Sequence, residues 1–452
     1  MRAFSNYDDP QMAKKKSKTK YDPFNKLHAM TLDGGLEELA RELYELSSKG
    51  SNPLWDELKA GNIKEDVDLR GRFFASSHAG MRAAQKKIVE TIKANEILTD
   101  SQKVLFHGIA DGMAWQMIGN QLCYARRFYK EHKPINLKQS NFDSVVSAAN
   151  HADSDDPGSF SLISDLTTFV QVGDLLTMGS LGGLTIAEVK EGHKNHEIME
   201  FMEFFAESRC PRSFQYFALQ HGDSGVKQLQ RMSRQAGRMG HLIEVMTEGR
   251  SIDPDTNQKI YIPEKAVYMP TWDCELNAIL EASSSKGWAL NVIDDCLFIA
   301  SYTKETMQGK GNGLFNLWFD EFGGTANCPR VRLLDAMSHP LALPIFNRDI
   351  SDEQKFDILF GRKNVCIGLN VGAFLKKLEE VGFKVRTASN KEASKLDQQG
   401  FPPFRQNGKA IYIGNEQQEM ALMDGVFLRI LFHSQSPIGA IQAILSNEPE
   451  QV

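Results

Sequence analysis

The alternation of apolar and polar residues divides the chain into helix-forming and strand-forming regions. From about Leu27 to Lys133, apolar residues recur at intervals of three and four, which is the period of an amphipathic helix. The stretches GGLEELARELYELSSKG and MRAAQKKIVETIKANEIL show this pattern most clearly. The segment from Asn150 to Ser159, NHADSDDPGS, consists largely of turn-forming and charged residues, so we expect the helical region to end there.

After Ser159 the pattern becomes typical of β-strands. The segments FSLISDLTTFVQVGDLLTM and LGGLTIAEVKEG are rich in aliphatic and β-branched residues. The glycine-rich turn GSLGG joins the last two apolar runs into a predicted hairpin. Helical spacing returns in HEIMEFMEFFAES and GVKQLQRMSRQAGRMGHLIEVM, so the predicted order is helix, strands, helix.

The rest of the sequence mixes both periodicities. WALNVIDDCLFIASYT predicts two strands about Asp294 and Asp295, NVGAFLKKLEEVGFKVRT predicts a helix followed by a strand, and VFLRILFH predicts a final strand. We therefore expect an α/β protein. Its expected parts are a disordered basic arm at 1–24 that contains AKKKSKTKY, a helical N-terminal region at 25–149, a core with a central sheet flanked by helices at 150–300, and an α+β C-terminal region of unknown role at 301–452.

Length and composition limit the class of protein. At 452 residues the chain is too long for one ordinary domain, and its 41% hydrophobic and 24% charged residues are typical of a globular protein. No stretch has the roughly 18 consecutive apolar residues of a membrane span, and MRAFSNYDDP lacks the apolar core of a signal peptide. The six cysteines have no zinc-type spacing, which predicts buried thiols in a reducing compartment. We expect a cytoplasmic protein with no membrane partner.

The stretch from Gln171 to Gly192, QVGDLLTMGSLGGLTIAEVKEG, places three charged residues at the open end of the predicted hairpin. Asp174 begins the first strand, and Glu188 and Lys190 end the second. In an antiparallel hairpin the start of one strand lies beside the end of the other, so the three residues come together. Because side chains alternate along a strand, Glu188 and Lys190 leave the same face.

These residue types favour a metal site. Mg²⁺ or Mn²⁺ can bind two carboxylates through oxygen and keep other positions for water and a phosphate oxygen. A neighbouring ammonium group can orient the water or stabilise the charge that develops on phosphorus. The pattern therefore predicts that Asp174 and Glu188 bind the cation, that Lys190 assists, and that the reaction is hydrolysis of a phosphodiester.

VGDLL followed by LTIAEVK resembles the core signature of the PD-(D/E)XK nuclease superfamily, which includes restriction enzymes, repair nucleases and anti-phage defence nucleases. Gly173 stands where the family usually has proline. The resemblance covers roughly Asp111 to Glu264. It implies a restriction-endonuclease-like mixed central sheet, metal ligands at Asp174 and Glu188, and Lys190 as the catalytic lysine.

The resemblance also implies a partner and a biological role. The expected partner is nucleic acid, with DNA as the substrate, and the expected role is bacterial anti-phage defence or DNA repair. A homo-oligomer or a partner protein of a defence complex stays open.

The same family suggests further residues around the site. Many members have another acid before the strands, for which Asp111 and Asp165 are the candidates; a structural role is the alternative for both. The helix after the lysine often presents a glutamine or a basic residue to the scissile phosphate. Gln228 fits that place as a fourth catalytic candidate, and Lys227 and Arg231 are candidate phosphate contacts on the same helix.

Several alternatives stay open at this point. Glu-x-Lys also occurs at Glu57, Glu131 and Glu353, although none of these follows an apolar run such as LTIA. The three charges could be solvated ends of an edge hairpin. The chain could be a non-catalytic nucleic-acid-binding or assembly protein with a degenerate nuclease fold, or a nuclease that acts on RNA.

Charge does not decide between these alternatives. The net charge of −6 argues against a wholly basic nucleic-acid coat but permits a local basic groove. One basic patch consists of Arg126, Arg127 and Lys130. We expect it on the charged face of a packed helix; a helix that faces DNA is the alternative.

Overall fold

The computed structural model describes residues 27–60, 66–130, 141–190, 192–252, 259–262, 270–303, 310–323, 328–398 and 403–446. The basic arm predicted at 1–24 lies outside these residues, as does the tripeptide that begins at Glu131. Within the described ranges, no helix combines the length and the apolar character that crossing a membrane requires.

The N-terminal region consists of helices, as the apolar spacing predicts. They are α1 (Glu37–Lys49), α2 (Trp55–Ala60), α3 (Val67–Ala94), α4 (Asp100–Met117), α5 (Leu122–Phe128) and α6 (Phe142–Asp155). α1 packs against α3 and α4, and α4 is buried along most of its length. Thr99 and Gln102 form a capping box at the start of α4, in which each side chain accepts the other residue's backbone N–H.

α6 continues to Asp155, so the helical region ends within the predicted segment from Asn150 to Ser159 and not at its first residue. Val145 and Ala149 are buried and dock one face of the helix, which leaves its polar residues on the other face. Polar residues therefore did not end the helix. The chain leaves it at Asp156, whose extended backbone is the conformation expected before Pro157.

The hairpin predicted around GSLGG is confirmed. The strands β1 (Phe160–Ile163), β2 (Leu175–Met178) and β3 (Leu184–Ala187) form an antiparallel sheet in that order. Leu175 lies opposite Ile163 on one side and Ala187 on the other. β1 is fully buried and packs against α3 and α6, which anchors the sheet to the helical region.

Two helices follow the hairpin, as predicted. They are α7 (His193–Ser208) and α8 (Pro211–Glu248), and α8 is kinked at Gly222. Their facing side chains form a small apolar core of their own, made of Ile198, Phe217, Leu229 and Met232. α8 also packs against β3, so its middle lies near the open end of the hairpin.

The strand pairing differs from the mixed central sheet that the family resemblance implies. After α8, β4 (Arg250–Ile252) pairs with β5 (Lys259–Tyr261) and does not join the sheet of β1, β2 and β3. All ladders between described strands are antiparallel. The protein is therefore a mixture of helices and small antiparallel sheets.

The C-terminal half contains a second sheet with strands β6 (Trp288–Ile293), β7 (Leu297–Thr303), β8 (Arg330–Arg332) and β9 (Lys363–Leu369). Its order is β6–β7–β9–β8, and β6 with β7 confirms the hairpin predicted about Asp294 and Asp295. This sheet crosses residue 300, where the sequence suggests a boundary. One apolar cluster includes Ala29, Leu176 and Ile441, so all three regions share a core.

The remaining C-terminal elements are α9 (Asp273–Lys286), α10 (Gly311–Glu321), α11 (Asp352–Leu359), α12 (Val371–Glu380), β10 (Lys384–Thr387), α13 (Asn390–Gln398), β11 (Arg405–Gln406), β12 (Lys409–Gly414), β13 (Glu419–Ala421), α14 (Asp424–Phe432) and α15 (Pro437–Ser446). The helix-to-strand step at α12 and β10 is confirmed. The strand predicted for VFLRILFH is wrong, because all but its last residue, His433, belong to α14 and nearly all of them are buried. A helix that is apolar on all sides shows no alternation of apolar and polar residues, so its sequence cannot be distinguished from that of a buried strand.

Candidate functional site

Glycines shape both ends of the hairpin. At the turn, Gly182 and Gly183 have φ of 92° and 91°, and the Gly179 N–H donates to the Gly183 carbonyl over 3.0 Å. At the open end, Gly173 has φ of 77°, and a Cβ there would lie 2.9 Å from the carbonyl oxygen of Ala187. Proline is restricted to φ near −65°. This backbone therefore requires glycine where the resembling family has proline.

Asp174 is fixed at the open end by two hydrogen bonds to the backbone. Its N–H donates to the carbonyl of Ala187 over 2.8 Å, and its Oδ2 accepts the N–H of Val189 over 2.7 Å. Burial raises the pKa of the Asp174 carboxyl, the hydrogen bond from Val189 lowers it, and the nearby Glu188 charge raises it. Asp174 therefore lies within electrostatic range of Glu188, as the hairpin register predicts.

Glu188 and Lys190 lie just after β3 and contact each other directly. Lys190 Nζ donates to Glu188 Oε1 over 2.7 Å, and both side chains are about 15% exposed, at 16% for Glu188 and 15% for Lys190. Gln235 of α8 joins them, because its Nε2 donates to Glu188 Oε1 over 2.7 Å and its Oε1 accepts from Lys190 over 3.2 Å. The amide thus holds the acid and the lysine on one face.

Asp165 is the acid that the structure places near this cluster. It lies in the short helical turn after β1, between Ser164 and Leu166. Burial raises the pKa of Asp165 to about 6, and the charges of Asp174 and Glu188 raise it in the same direction. Among the described residues, no hydrogen-bond donor reaches its carboxylate, so Asp165 is the better placed of the two candidate acids.

Asp111, the other candidate, has a structural position. Its Oδ1 accepts the backbone N–H of Thr168 over 2.7 Å, and its Oδ2 is 2.7 Å from the Thr168 hydroxyl. Both carboxylate oxygens therefore bind the segment that connects β1 to β2. Burial raises the pKa of Asp111 to about 7. Asp111 therefore holds the segment between β1 and β2, which also contains Asp165, and does not belong to the charged cluster.

The structure does not bring Gln228 to the cluster. Its Nε2 donates to Asn195 Oδ1 over 2.9 Å, which links α8 to the start of α7. Gln235, which no sequence pattern marks, occupies the predicted position two helical turns later. Gln228 and Gln235 are seven residues, or nearly two helical turns, apart and lie on the same face of α8. The sequence therefore predicted the face of α8 that meets the cluster, but not the residue along it.

The basic candidates occupy two different settings. Lys227 and Arg231 lie exposed on α8. Arg126 lies against the backbone of Gly425 in α14, and α5 is packed within the fold. Leu122, Ala125 and Phe128 are the buried residues of α5, whereas Arg126 is exposed, so α5 is a packed helix with a charged face, as expected.

The oxygen atoms at the open end fit a hard divalent cation in their chemistry. Asp174 uses Oδ2 and Glu188 uses Oε1 for hydrogen bonds, while Asp174 Oδ1 and Glu188 Oε2 accept none from the described residues. Mg²⁺ is commonly held by one or two carboxylates with waters and substrate phosphates in its other positions. Among the residues that the structure describes, no group of three or more His, Cys, Asp or Glu side chains is arranged to hold a metal ion.

Comparisons with known proteins identify no relative of this chain. No protein-family model matches the chain, and neither a curated protein nor a solved structure matches it.

Proposed function

We propose that the chain is a divalent-metal-dependent nuclease with a restriction-endonuclease-like core around β1, β2 and β3. Its substrate would be DNA, and its role bacterial anti-phage defence or DNA repair in the cytoplasm. The observation that carries the proposal is the arrangement at the open end of the hairpin. Asp174 and Glu188 each keep one oxygen without a hydrogen bond from the described residues, and Lys190 lies against Glu188.

Each residue of the cluster has a separate task in this proposal. Asp174 and Glu188 would hold Mg²⁺ or Mn²⁺, which when bound lowers the pKa of a water and offsets charge on the phosphate. Lys190 has three N–H bonds, of which two donate to Glu188 and Gln235. The third is available to a water or a phosphate oxygen. Gln235 orients both Glu188 and Lys190, and Asp165 supplies a third carboxylate nearby.

A non-catalytic nucleic-acid-binding or assembly protein is the second candidate. Two observations favour it: Lys190 and Gln235 already engage one oxygen of Glu188, and the described residues include no group of three metal-binding side chains. In that case the cluster would be a closed hydrogen-bond network that ties α8 to the hairpin. An activity assay separates the two candidates.

The decisive experiment compares wild type with Glu188→Gln, which keeps the size of the side chain and one acceptor oxygen but replaces the charged carboxylate with a neutral amide. Linear and circular duplex DNA, single-stranded DNA and RNA are incubated with Mg²⁺, Mn²⁺ or EDTA. Loss of a group that only orients a metal ligand costs about 10- to 100-fold in activity, so loss of a ligand should cost more than about 100-fold. We expect metal-dependent cutting by wild type and at least this reduction in Glu188→Gln.

Glu353→Gln is the matched control. Glu353 belongs to another Glu-x-Lys tripeptide, but its side chain is 73% exposed and forms a salt bridge with Arg41. This variant should cut like wild type. Equal cutting by wild type and Glu188→Gln would overturn the metal-site assignment, and no cutting by wild type on any substrate would favour the non-catalytic candidate.

A further inference from the structure

Three cations form a row on the solvent-facing side of α8, and we call them the basic stripe: Lys227, Arg231 and Arg234. All three are exposed. Their spacings of four and three residues place them within about 60° around the helix axis, because an α-helix has 3.6 residues per turn. The opposite face carries the buried residues Leu229 and Met232, which pack on α7.

The basic stripe leads away from the candidate site. Arg234 immediately precedes Gln235, whose side chain binds both Glu188 and Lys190. From Arg234 the stripe runs back to Lys227 over about 10 Å, at 1.5 Å per residue. The helix is continuous over this length, because the kink at Gly222 lies before Lys227. The stripe therefore forms a straight line of positive charge that begins beside the cluster.

The stripe is not neutralised by the part of the protein that the structure describes. No described acid forms a salt bridge with Lys227, Arg231 or Arg234, whereas Arg41, Arg72 and Arg386 each bind acidic side chains. Like charges at these spacings on one helix face repel each other and destabilise the helix slightly. A chain with 58 acidic and 52 basic residues has acids enough to pair such cations, so an unpaired row is best suited to an external polyanion.

We propose that the basic stripe binds the sugar-phosphate backbone of a nucleic acid that runs along α8 from the candidate site towards Gly222. Regularly spaced phosphates match a row of Lys and Arg side chains, and such contacts provide affinity and position without reading bases. The direction of the strand rests on the proposed function. Binding itself can be measured without any cleavage.

The test uses the full chain with Glu188→Gln in EDTA, so that no substrate is cut. Fluorescence anisotropy measures binding of labelled single-stranded DNA, duplex DNA and RNA over a series of NaCl concentrations. Each lost phosphate contact lowers the slope of log K against log salt by about 0.7 for single strands and 0.9 for duplex DNA. The added triple change Lys227→Ala, Arg231→Ala and Arg234→Ala should therefore lower the slope by about 2 to 3.

The matched control removes three other exposed lysines of the C-terminal region, Lys384→Ala, Lys391→Ala and Lys409→Ala, and thus changes the net charge equally. It should leave the slope unchanged. Alanine favours helices, so the triple change on α8 should keep the helix, which circular dichroism verifies. Equal slopes in the stripe variant and its parent, or equal losses in both triple variants, would overturn the inference.

The inference and the proposed function can fail separately. Stripe-dependent binding without cutting by the wild type would support the stripe and contradict the nuclease. Metal-dependent cutting together with normal binding by the stripe variant would support the nuclease and contradict the stripe. The nucleic acid whose affinity falls most in the stripe variant, compared at one salt concentration, identifies the preferred ligand.

Discussion

Two hairpins in this protein contain similar charges in different places. The hairpin of β2 and β3 has Asp174, Glu188 and Lys190 at its open end, where Glu188 is 16% exposed. The hairpin of β6 and β7 has Asp294 and Asp295 at its turn, where Asp295 is 83% exposed and pairs with Lys377. Both regions thus combine two acids on an antiparallel hairpin with a lysine nearby, which follows β3 in the first region and lies on α12 in the second.

The electrostatic outcome is opposite in the two hairpins. The hydrogen bond from Lys377 lowers the pKa of Asp295, which stays ionised in solvent. Burial raises the pKa of Asp174 and of Asp165 beside the first hairpin. Acids that are held partly buried near one another tend to need a cation or a proton, whereas exposed acids at a turn do not. Position in the hairpin, and not residue type, makes the first region a candidate site.

The largest expected effect concerns Asp111, the buried acid beneath the first hairpin. Its pKa of about 7 lies above the ordinary 3.8, so the folded protein keeps a proton that the unfolded chain releases. Stability should therefore fall as pH rises from about 4 to about 7 and then level off. An asparagine side chain cannot release a proton, so the free energy of unfolding of Asp111→Asn should rise relative to that of wild type by roughly 4 kcal/mol as the pH goes from about 4 to about 7. Urea unfolding across this pH range measures the difference.

Asp295→Asn is the control for this pH profile, because the pKa of Asp295 is shifted in the opposite direction. A carboxyl whose pKa is lowered in the folded protein stabilises the fold at pH values above its ordinary pKa. This stabilisation is lost as the pH falls through the lowered pKa. Asp295→Asn should therefore flatten the stability profile slightly at pH below about 4 and leave the fall in stability between pH about 4 and about 7 unchanged. Parallel profiles for wild type and Asp111→Asn would contradict a raised pKa for the buried acid.

The next effect concerns Gly173, which fixes the open end of the first hairpin. Alanine at this position would have to adopt φ of 77° and would crowd Ile186 Cγ2 and the carbonyl of Ala187. The backbone cost is about 1 to 2 kcal/mol and the crowding adds about 1 to 3 kcal/mol. Gly173→Ala should therefore destabilise the protein by about 2 to 5 kcal/mol, as measured by chemical denaturation.

Gly408→Ala separates the two causes. Gly408 has φ of 79°, but a Cβ there meets no atom within 4 Å. This variant should lose only the backbone cost of about 1 to 2 kcal/mol. If both alanine variants are equally destabilised, crowding at the open end contributes nothing and the close approach of Gly173 to β3 is not important for the hairpin.

Local pattern was sufficient to predict much of the first hairpin. The GSLGG turn, the alternation of side chains and the distance in sequence from Asp174 to Glu188 set the register without any tertiary information. The same local signals predicted β6, β7, α12 and β10. They failed for α14, since its run of buried residues has no polar face.

Contacts between distant segments were beyond the sequence. Gln228 and Gln235 lie on nearly the same face of α8, and only the packing of α8 on β3 decides which of them meets Lys190. The bond from Asp111 to Thr168 spans 57 residues, so no local pattern marks this acid as structural. That no described acid pairs with the basic stripe likewise depends on which acids the fold brings near. Tertiary packing therefore assigns the roles, although the residue types were visible from the start.

The smallest expected effect is that of Lys377→Ala on α12, which removes the partner of Asp295 at the turn of the second hairpin. Lys377 Nζ lies 2.7 Å from Asp295 Oδ2, but the carboxylate is 83% exposed, so water and salt screen the pair. Cleavage should not change, and any loss in the denaturation midpoint should disappear as NaCl is raised. If Lys377→Ala reduced cleavage as strongly as Glu188→Gln, an exposed acid–lysine pair at a hairpin turn would matter as much as a part-buried one at the open end. The burial and placement that distinguish the two hairpins would then not explain function.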